Sequence, residues 1–347
     1  MNITGNIKNM NYKLLGVSTE KELNIGDYIQ ALASAQFLPS INGFIQREEL
    51  KEYNGEEAKM IMNGWYMHHP ENWPPSELIQ PLYVAFHLNV LAKDSLMRAE
   101  SVAYLKKHEP IGCRDYQTVR TLQSEGVDSY FSGCMTLTLG QKYFSKEKED
   151  KCYFVDPYFK TDWNLFSVIR NVIYLLAHWN SISIISSKYP ESKTGLRKKI
   201  ILTSFYREYK KFFTKEILLN AEYINQQSEK LKSNTKTEFD YLHDAEKLVR
   251  KYAKARLVIT SRIHCALPCL GLETPVIYTE DYNQTEASRC RLEGLRDLFT
   301  ILTWNKGKLN AEFDLIDKIS MFNLPKNKNN WKVIAENLIK RCQSFLK

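Results

Sequence analysis

The stretch ARLVITSRIHCALPCLGLETPVIY, residues 255–278, contains the transition that decides the fold of this chain. Its apolar run over 257–259 predicts a buried strand, and the apolar stretch after His264 predicts a helix. In open α/β sheets, ligands bind beyond the carboxyl ends of the strands, where Ser261, Arg262 and His264 are expected here. A helix amino end destabilises a nearby cation unless an anion is bound there. Arg262 and His264 are therefore the first candidates for a functional site.

Composition limits the class of protein. The chain has 347 residues, of which 44% are hydrophobic and 25% charged, enough for two ordinary globular domains. Seven scattered cysteines without a Cys-x-x-Cys pair do not suggest a disulfide framework. The first residues lack the apolar core of a signal peptide, and no window reaches the roughly 18 uncharged apolar residues of a membrane span. We therefore expect a cytoplasmic protein.

Strands and helices alternate along the first half of the sequence. Apolar runs at 12–18, 59–67, 81–89 and 127–131 predict strands, and 25–38 and 115–126 predict helices. This alternation predicts an α/β fold with a parallel sheet. The polar stretch 141–151 is the best linker, so we expect an N-terminal α/β domain over 1–148 on the acceptor side and a second over 149–325. A last helix within 326–347 is expected to pack across the junction, and the cleft between domains is the expected ligand site.

Positive charge is concentrated in one segment, 193–215, which carries eight Lys or Arg and the single acid Glu208, a net +7. Apolar residues within 205–218 recur at helical spacing, which predicts a basic amphipathic helix that contacts an anionic membrane surface. A solvated face over a core helix is an equally good interpretation. Because the rest of the chain is nearly neutral, we do not expect it to coat nucleic acid.

Several catalytic motifs are absent. The sequence has no Gly-x-Gly-x-x-Gly, no Walker A sequence, no Gly-x-Ser-x-Gly and no Asp-x-Asp. His68 and His69 are adjacent, which is poor spacing for two ligands of one metal. We expect neither a dinucleotide site nor a metal site.

The segment between the first strand and the first helix contains Asn24, Gly26 and Asp27. Gly26 permits a close approach of the backbone, and the helix amino end offers free N–H groups to an anion. Alternatively, Asn24 or Asp27 simply caps the helix.

Arg114 and Asp115 follow another predicted strand. The fork of an arginine side chain matches both phosphate and carboxylate, so Arg114 is a candidate for binding an anionic substrate. A structural ion pair between the two residues, with Asp115 capping the next helix, is compatible with that role.

Four further residues lie at the ends of predicted strands. Ser132 and Cys134 belong to a loop of small residues that either faces a substrate or forms an ordinary turn. His68 and His87 end strands that point towards the expected cleft. All four are substrate-binding candidates, although structural roles explain each of them equally well.

Four segments, NIGDYIQ, PIGCRD, SGCMTLTL and ARLVITSRIHCALPCLGLETPVIY, resemble the polysaccharide pyruvyl transferases in order and spacing over roughly residues 12 to 280. The segment 157–215 does not match the family pattern. The resemblance implies two Rossmann-like domains that face a cleft, similar to GT-B glycosyltransferases. It also implies that Arg262 and His264 are the catalytic pair and that Arg114 is a second substrate-binding arginine.

The reaction implied by the resemblance transfers the enolpyruvyl unit of phosphoenolpyruvate to two hydroxyls of a sugar. It yields a cyclic pyruvate ketal without a cofactor. The acceptor would be a saccharide, undecaprenyl-pyrophosphate-linked, in bacterial surface or capsular polysaccharide biosynthesis at the inner face of the cytoplasmic membrane. One alternative is a GT-B-type glycosyltransferase that uses a nucleotide sugar; a more remote one is a non-catalytic anion-binding or nucleic-acid-binding protein.

Overall fold

A computed structural model describes residues 10–17, 23–190, 193–228, 231–233 and 235–347. Up to residue 143 the elements are β1 (Asn11–Gly16), β2 (Leu23–Asn24), α1 (Ile25–Ala35), β3 (Phe44–Gln46), β4 (Ala58–Ile61), β5 (Gly64–Tyr66), β6 (Ile79–Leu82), β7 (Phe86–Leu88), α2 (Lys93–Leu96), α3 (Ala99–Lys106), β8 (Ile111–Cys113), α4 (Tyr116–Ser124), β9 (Ser129–Phe131) and α5 (Gly140–Tyr143).

From residue 152 onward the elements are β10 (Cys152–Val155), α6 (Leu165–Ala177), α7 (Trp179–Lys188), α8 (Gly195–Tyr209), α9 (Lys215–Asn220), β11 (Glu222–Ile224), β12 (Gln227–Ser228), α10 (Glu238–Lys254), β13 (Leu257–Thr260), α11 (Ile263–Gly271), β14 (Val276–Asp281), α12 (Glu286–Cys290), β15 (Thr300–Asn305), β16 (Lys308–Ala311) and α13 (Trp331–Phe345). Short 3-10 turns lie at Arg47–Glu52, Pro70–Asn72, Val90–Ala92, Met135–Thr138 and Arg296–Leu298.

The first part of the chain forms two parallel sheets, in the orders β3-β1-β4-β6 and β5-β7-β8-β9. The second part forms one sheet in the order β11-β10-β13-β14-β15-β16, parallel except for the last pair. The four residues of β13 are fully buried, as expected of a strand covered on both faces. The predicted α/β fold with parallel sheets is confirmed.

The largest apolar core joins the two parts of the chain. It contains side chains of β1 and α1 together with side chains of α10 and α11, and α13 adds Trp331, Ala335, Leu338 and Cys342. The short strands β2 and β12 also pair across the two parts, in antiparallel register with Asn24 opposite Gln227. This pairing places the start of α1 beside the amino end of α11, which is where the candidate site lies.

Some predicted elements have different boundaries in the structure. The apolar runs 59–67 and 81–89 are each two short strands, because the chain leaves one sheet and enters the other between β4 and β5 and between β6 and β7. The linker predicted at 141–151 begins inside α5.

The prediction of one continuous helix over 205–218 is wrong. α8 ends at Tyr209 and α9 starts at Lys215. Phe205, Tyr209 and Phe213 are buried in the core of the second part. Burying these side chains stabilises the fold more than leaving them exposed to solvent would. These three side chains are therefore not available to a membrane, whereas contact of the basic residues of 193–215 with a membrane stays a prediction.

Candidate active site

A cavity of about 450 Å³ lies where the carboxyl ends of β10, β13 and β14 meet the amino end of α1. This is the edge at which open α/β sheets bind ligands. Most of its lining side chains are polar. Those nearest the strand-to-helix transition are Asn24, Gln226, Ser261, Arg262, His264 and Arg291.

Gln226 joins the first helix to the Ser-Arg-x-His segment. Its carbonyl accepts a hydrogen bond from the backbone N–H of Ile25 at 3.0 Å, and its Nε2 donates to the carbonyl of His264 at 3.0 Å. A Cβ atom on Gly26 would lie 2.6 Å from Gln226 Nε2 and 3.0 Å from His264 Cβ. Gly26 therefore permits the close approach of α1 to His264, while Asn24 caps α1 by accepting from the Gly26 N–H at 3.0 Å.

Arg262 is held by two neighbours. Its Nε donates to Asp156 Oδ2 at 2.9 Å, and its Nη1 donates to Gln227 Oε1 at 2.8 Å. Asp156 has φ +42°, a left-handed conformation that is uncommon for residues other than glycine, and its carbonyl accepts from Ser261 Oγ at 2.6 Å. The fork of Arg262 is thus fixed at the carboxyl ends of β10 and β13, at the wall of the cavity.

Arg114 is the most unusual side chain of the site. It is 0% exposed, and none of its three guanidinium nitrogens has a hydrogen-bond partner among the residues that the structure describes. Burial, followed by the neighbouring Arg291, lowers the pKa of Arg114. A buried charge without a partner is costly, and arginine remains protonated in proteins. Within the described residues, the guanidinium of Arg114 therefore keeps its hydrogen-bonding capacity unused in the free protein.

His264 lies within the range of the charge of this arginine. The ring is buried, and its Nε2 atom has no hydrogen-bond partner within the described part of the chain. Burial, and then the charges of Arg114, Arg291 and His87, lower the pKa of His264 well below its ordinary value. The imidazole is therefore neutral at neutral pH and able to accept a proton.

Asp27 and Arg291 are two further charged groups of the site. Burial raises the pKa of Asp27, against the opposing charges of Arg47, Arg291 and Arg114. The Asp27 carboxylate accepts a hydrogen bond from Gln30 at 3.1 Å, one turn further along α1. Arg291 follows α12 and lines the cavity, close enough to affect Asp27, His87, Arg114 and His264.

His87 and Asp115 form a buried pair behind Arg114. His87 Nδ1 lies 2.5 Å from Asp115 Oδ2, and Asp115 also caps α4 by accepting from the Thr118 N–H at 2.9 Å. Burial, and then Arg114, lower the pKa of His87 to about 4, so the ring is neutral and donates to the carboxylate. Burial is the largest influence and would raise the pKa of Asp115, but the hydrogen bonds from His87 and the Thr118 N–H, together with the charge of Arg114, outweigh it and the pKa is lowered.

The remaining candidates from the sequence have other surroundings. Ser132 Oγ accepts from the Ala85 N–H at 2.9 Å and donates to the Cys113 carbonyl at 3.0 Å, which joins strand ends. Cys134 is buried, and its burial raises the pKa of the thiol. His68 is exposed, its ring packs against Trp65 at 4.6 Å, and it does not line the cavity.

Sequence reasoning missed Asp156, Gln226 and Arg291. Asp156 was visible only as the polar residue that ends a strand, the same signal that marked Arg114. Gln226 and Arg291 lie outside the regular strands and helices, where no periodic pattern places a side chain. Among the described residues, no group of three or more His, Cys, Asp or Glu side chains is arranged to hold a metal ion.

The fold is that of an α/β protein with a polar cavity at the carboxyl ends of its strands, lined in part by Arg262 and Arg291. The sequence model of the family "Polysaccharide pyruvyl transferase" matches residues 24–280, and the chain belongs to this family. The matched range runs from the last residue of β2 nearly to the end of β14, and it contains every site residue discussed above except Arg291.

Two other comparisons add little. The chain is similar to a solved structure of a functionally uncharacterised protein from Klebsiella pneumoniae subsp. pneumoniae NTUH-K2044, with 12% sequence identity and a TM-score of 0.41. The similarity covers 81% of this chain and 87% of that one. No curated protein sequence matches.

Proposed function

We propose that this pyruvyl transferase takes the enolpyruvyl unit from phosphoenolpyruvate and attaches it to two hydroxyls of a sugar, releasing phosphate and forming a cyclic ketal. The observation that carries the proposal is the fully buried, unpartnered guanidinium of Arg114 beside the unpartnered Nε2 of His264 within the described residues. Phosphoenolpyruvate is small and carries two anionic groups, and a guanidinium fork binds either of them with two parallel hydrogen bonds.

Three arginines have distinct positions in this proposal. Arg114 lies deepest and would take one anionic group in full, which requires the cleft to open because its side chain has no exposed surface. Arg291 lines the cavity and would meet the other anionic group. Arg262 is already engaged by Asp156 and Gln227, so it would fix the wall of the site and present what remains of its fork to the substrate.

His264 would act first as a base. The arginines keep its imidazole neutral in the free protein, and a bound dianion would raise its proton affinity again. It would take the proton of the first sugar hydroxyl as that oxygen bonds to C2 of phosphoenolpyruvate. The methylene carbon would take that proton by way of His264 in the same step, so that no carbanion forms as the π bond breaks, and it becomes a methyl group.

The second half of the reaction would expel the phosphate. The C2–O bond to phosphate breaks, the second hydroxyl bonds to C2, and its proton leaves with the phosphate. Arg114 and Arg291 would stabilise the negative charge that develops on the leaving group. The sum is one phosphoenolpyruvate and one diol giving one ketal and one phosphate, with no change in oxidation state.

The acceptor and the setting are part of the proposal. The cavity of about 450 Å³ has room beside phosphoenolpyruvate for a sugar ring. We propose a lipid-linked saccharide, undecaprenyl-pyrophosphate-linked, as the acceptor, in surface or capsular polysaccharide synthesis at the inner face of the cytoplasmic membrane. The two parallel-sheet regions would act as two Rossmann-like domains, 1–148 and 149–325, in a GT-B-like arrangement.

The direct test incubates the protein with phosphoenolpyruvate and a panel of lipid-linked saccharides. The expected result is release of phosphate together with a product heavier than its acceptor by about 70 Da, the mass of pyruvic acid less water. A matched reaction supplies nucleotide sugars in place of phosphoenolpyruvate. Release of a nucleotide with glycosylation of the same acceptors would instead show the GT-B-type glycosyltransferase alternative.

A further inference from the structure

Helix α6 presents an apolar face to solvent. Six of its side chains recur at spacings of three and four residues and are between 37% and 86% exposed, namely Leu165, Phe166, Ile169, Val172, Ile173 and Leu176. Trp163 precedes the helix and Trp179 follows it, and they are 51% and 43% exposed. Scattered exposed apolar residues are normal, but a continuous stripe of this size marks an interaction surface.

The opposite face of α6 fixes this orientation. Ser167 and Asn171 are buried there. The Asn171 side chain accepts a hydrogen bond from Arg207 Nη1 at 2.5 Å and donates to Ser204 Oγ at 3.3 Å, both on α8. The buried face thus combines Ser167 and Asn171 with Leu175, while six apolar side chains of the helix face solvent, unlike those of an ordinary surface helix. Turning it over would bury the apolar stripe but break these hydrogen bonds.

Cations border the apolar stripe at both ends. The Arg197 guanidinium lies 5.7 Å from the centre of the Trp163 ring, and Lys199 Nζ lies 3.8 Å from that of Trp179. A second cavity, of about 550 Å³, opens beside Trp179 at the carboxyl end of α6 and is lined in part by His178, Lys210, Lys215 and Lys318. Aromatic rings with cations at their edges are typical of the boundary between acyl chains and headgroups.

The helix is too short to cross a membrane. Its 13 residues span about 20 Å, against about 30 Å of hydrocarbon. In the described ranges no single helix has the length and composition of a membrane span; α6 and α7 have them only as a pair, with a bend of 97° between them. Ile182 and Ile185 of α7 are buried in the core. An orientation parallel to the membrane plane is therefore the one that α6 can adopt.

We propose that α6 docks on the surface of an anionic phospholipid bilayer, with its apolar stripe among the upper acyl chains and the surrounding lysines and arginines at the headgroups. A second copy of the chain would cover the stripe less well. A symmetric contact would bring two basic clusters together, each within a segment of net charge +7 over 193–215. The bilayer supplies the opposite charge. Docking would bring the cavity to a lipid-linked acceptor, which rests on the proposed function, but binding needs no turnover.

The test is co-sedimentation of the protein with vesicles of phosphatidylcholine alone and of phosphatidylcholine mixed with phosphatidylglycerol. The variant carries Phe166→Ser and Ile173→Ser, at positions 86% and 63% exposed. Its matched control carries Leu91→Ser and Val333→Ser, at positions 89% and 64% exposed. We expect the wild type and the control to bind the mixed vesicles, and the affinity of the α6 variant for them to be lower by about tenfold or more.

Three outcomes would overturn the proposal. They are a wild type that stays in the supernatant with both vesicle types, equal binding by the α6 variant and the wild type, and a wild-type dimer that the α6 substitutions convert to a monomer. Phosphate release with a detergent-solubilised acceptor, measured on the same variant, separates this question from catalysis. A failure of docking with turnover retained leaves the pyruvyl transfer proposal standing.

Discussion

The molecule leaves opposite kinds of side chain without partners in two regions. At the candidate site, the charged fork of Arg114 and the Nε2 atom of His264 are buried with no hydrogen-bond partner in the described part of the chain. On α6, large apolar side chains such as Phe166 and Ile173 face solvent. Each arrangement costs stability in the isolated chain, the first by desolvating a charge and the second by leaving apolar surface in water.

The difference shows what each region can bind. A buried guanidinium without a hydrogen-bond partner among the described residues can take a small anion, whereas an open apolar stripe with cations at its ends fits an extended anionic surface. Because the two costs have different physical origins, substitutions can separate them. The largest effect is expected from a substitution of Arg114.

Arg114→Met keeps the volume of the side chain and removes the charge. We expect kcat/KM for phosphoenolpyruvate to fall by about 10³-fold or more, because a buried charge pair with the substrate is lost. The free energy of unfolding of the free protein should rise, since an unpaired charge no longer has to be buried. Thermal unfolding and kinetics on the same preparation measure both. A variant less stable than the wild type would give Arg114 a structural role instead.

His264→Gln removes the proposed base but keeps a polar side chain of similar length. We expect kcat to fall about 10² to 10³-fold while phosphoenolpyruvate still binds, because the arginines remain. Single-turnover kinetics and equilibrium binding separate the two effects. Wild-type turnover in a folded His264→Gln protein would exclude the acid–base role.

Arg262→Lys tests a guanidinium that already donates hydrogen bonds to two side chains of the protein. A lysine cannot reach Asp156 and Gln227 together, so we expect a loss of about tenfold to 100-fold in kcat/KM through displacement of the cavity wall. Asp156→Asn should cause a similar loss, and the double variant should be no worse than either single one. Fully additive losses would show that Arg262 acts on the substrate independently of Asp156.

Arg291→Gln should lower kcat/KM, because a contact with an anionic group of the substrate is lost, and it should also shift the pH dependence of kcat/KM. The charge of Arg291 contributes to lowering the pKa of His264, so its removal should raise that pKa towards the ordinary value. The neutral imidazole is the reactive form, so the loss of kcat/KM on acidification should begin at higher pH than in the wild type. Ionisation of phosphoenolpyruvate is common to both proteins and cancels. Lys247→Gln, an exposed charge on α10, is the control and should leave the profile in place.

Much of the fold and part of the site were predictable because they depend on local patterns. The strand over 257–260 and the helix that begins at Ile263 follow from an apolar run and a change of periodicity. The sequence alone makes Arg114 a candidate for binding an anion, because it follows a predicted strand. The sequence gives no sign that its guanidinium is wholly buried, since burial depends on packing from distant segments.

The residues that could not be predicted depend on long-range geometry. Gln226 reaches His264 because β12 pairs with β2, a contact between segments about 200 residues apart that no local pattern records. Arg291 lies in a loop, and a loop has no hydrophobic periodicity from which the position of a side chain could be predicted. The apolar residues of 205–218 have helical spacing that fits a membrane or a core equally well, and only the packing around Phe205 and Phe213 decides for the core.

The central claim is that the buried charge of Arg114 is the binding position for phosphoenolpyruvate. Calorimetric titration of phosphoenolpyruvate into the wild type and into Arg114→Met, without any acceptor, tests it most directly. We expect saturable binding at one site in the wild type and no measurable binding by the variant, which should be at least as stable as the wild type. Equal binding by both proteins, or no binding by a folded wild type, would contradict it.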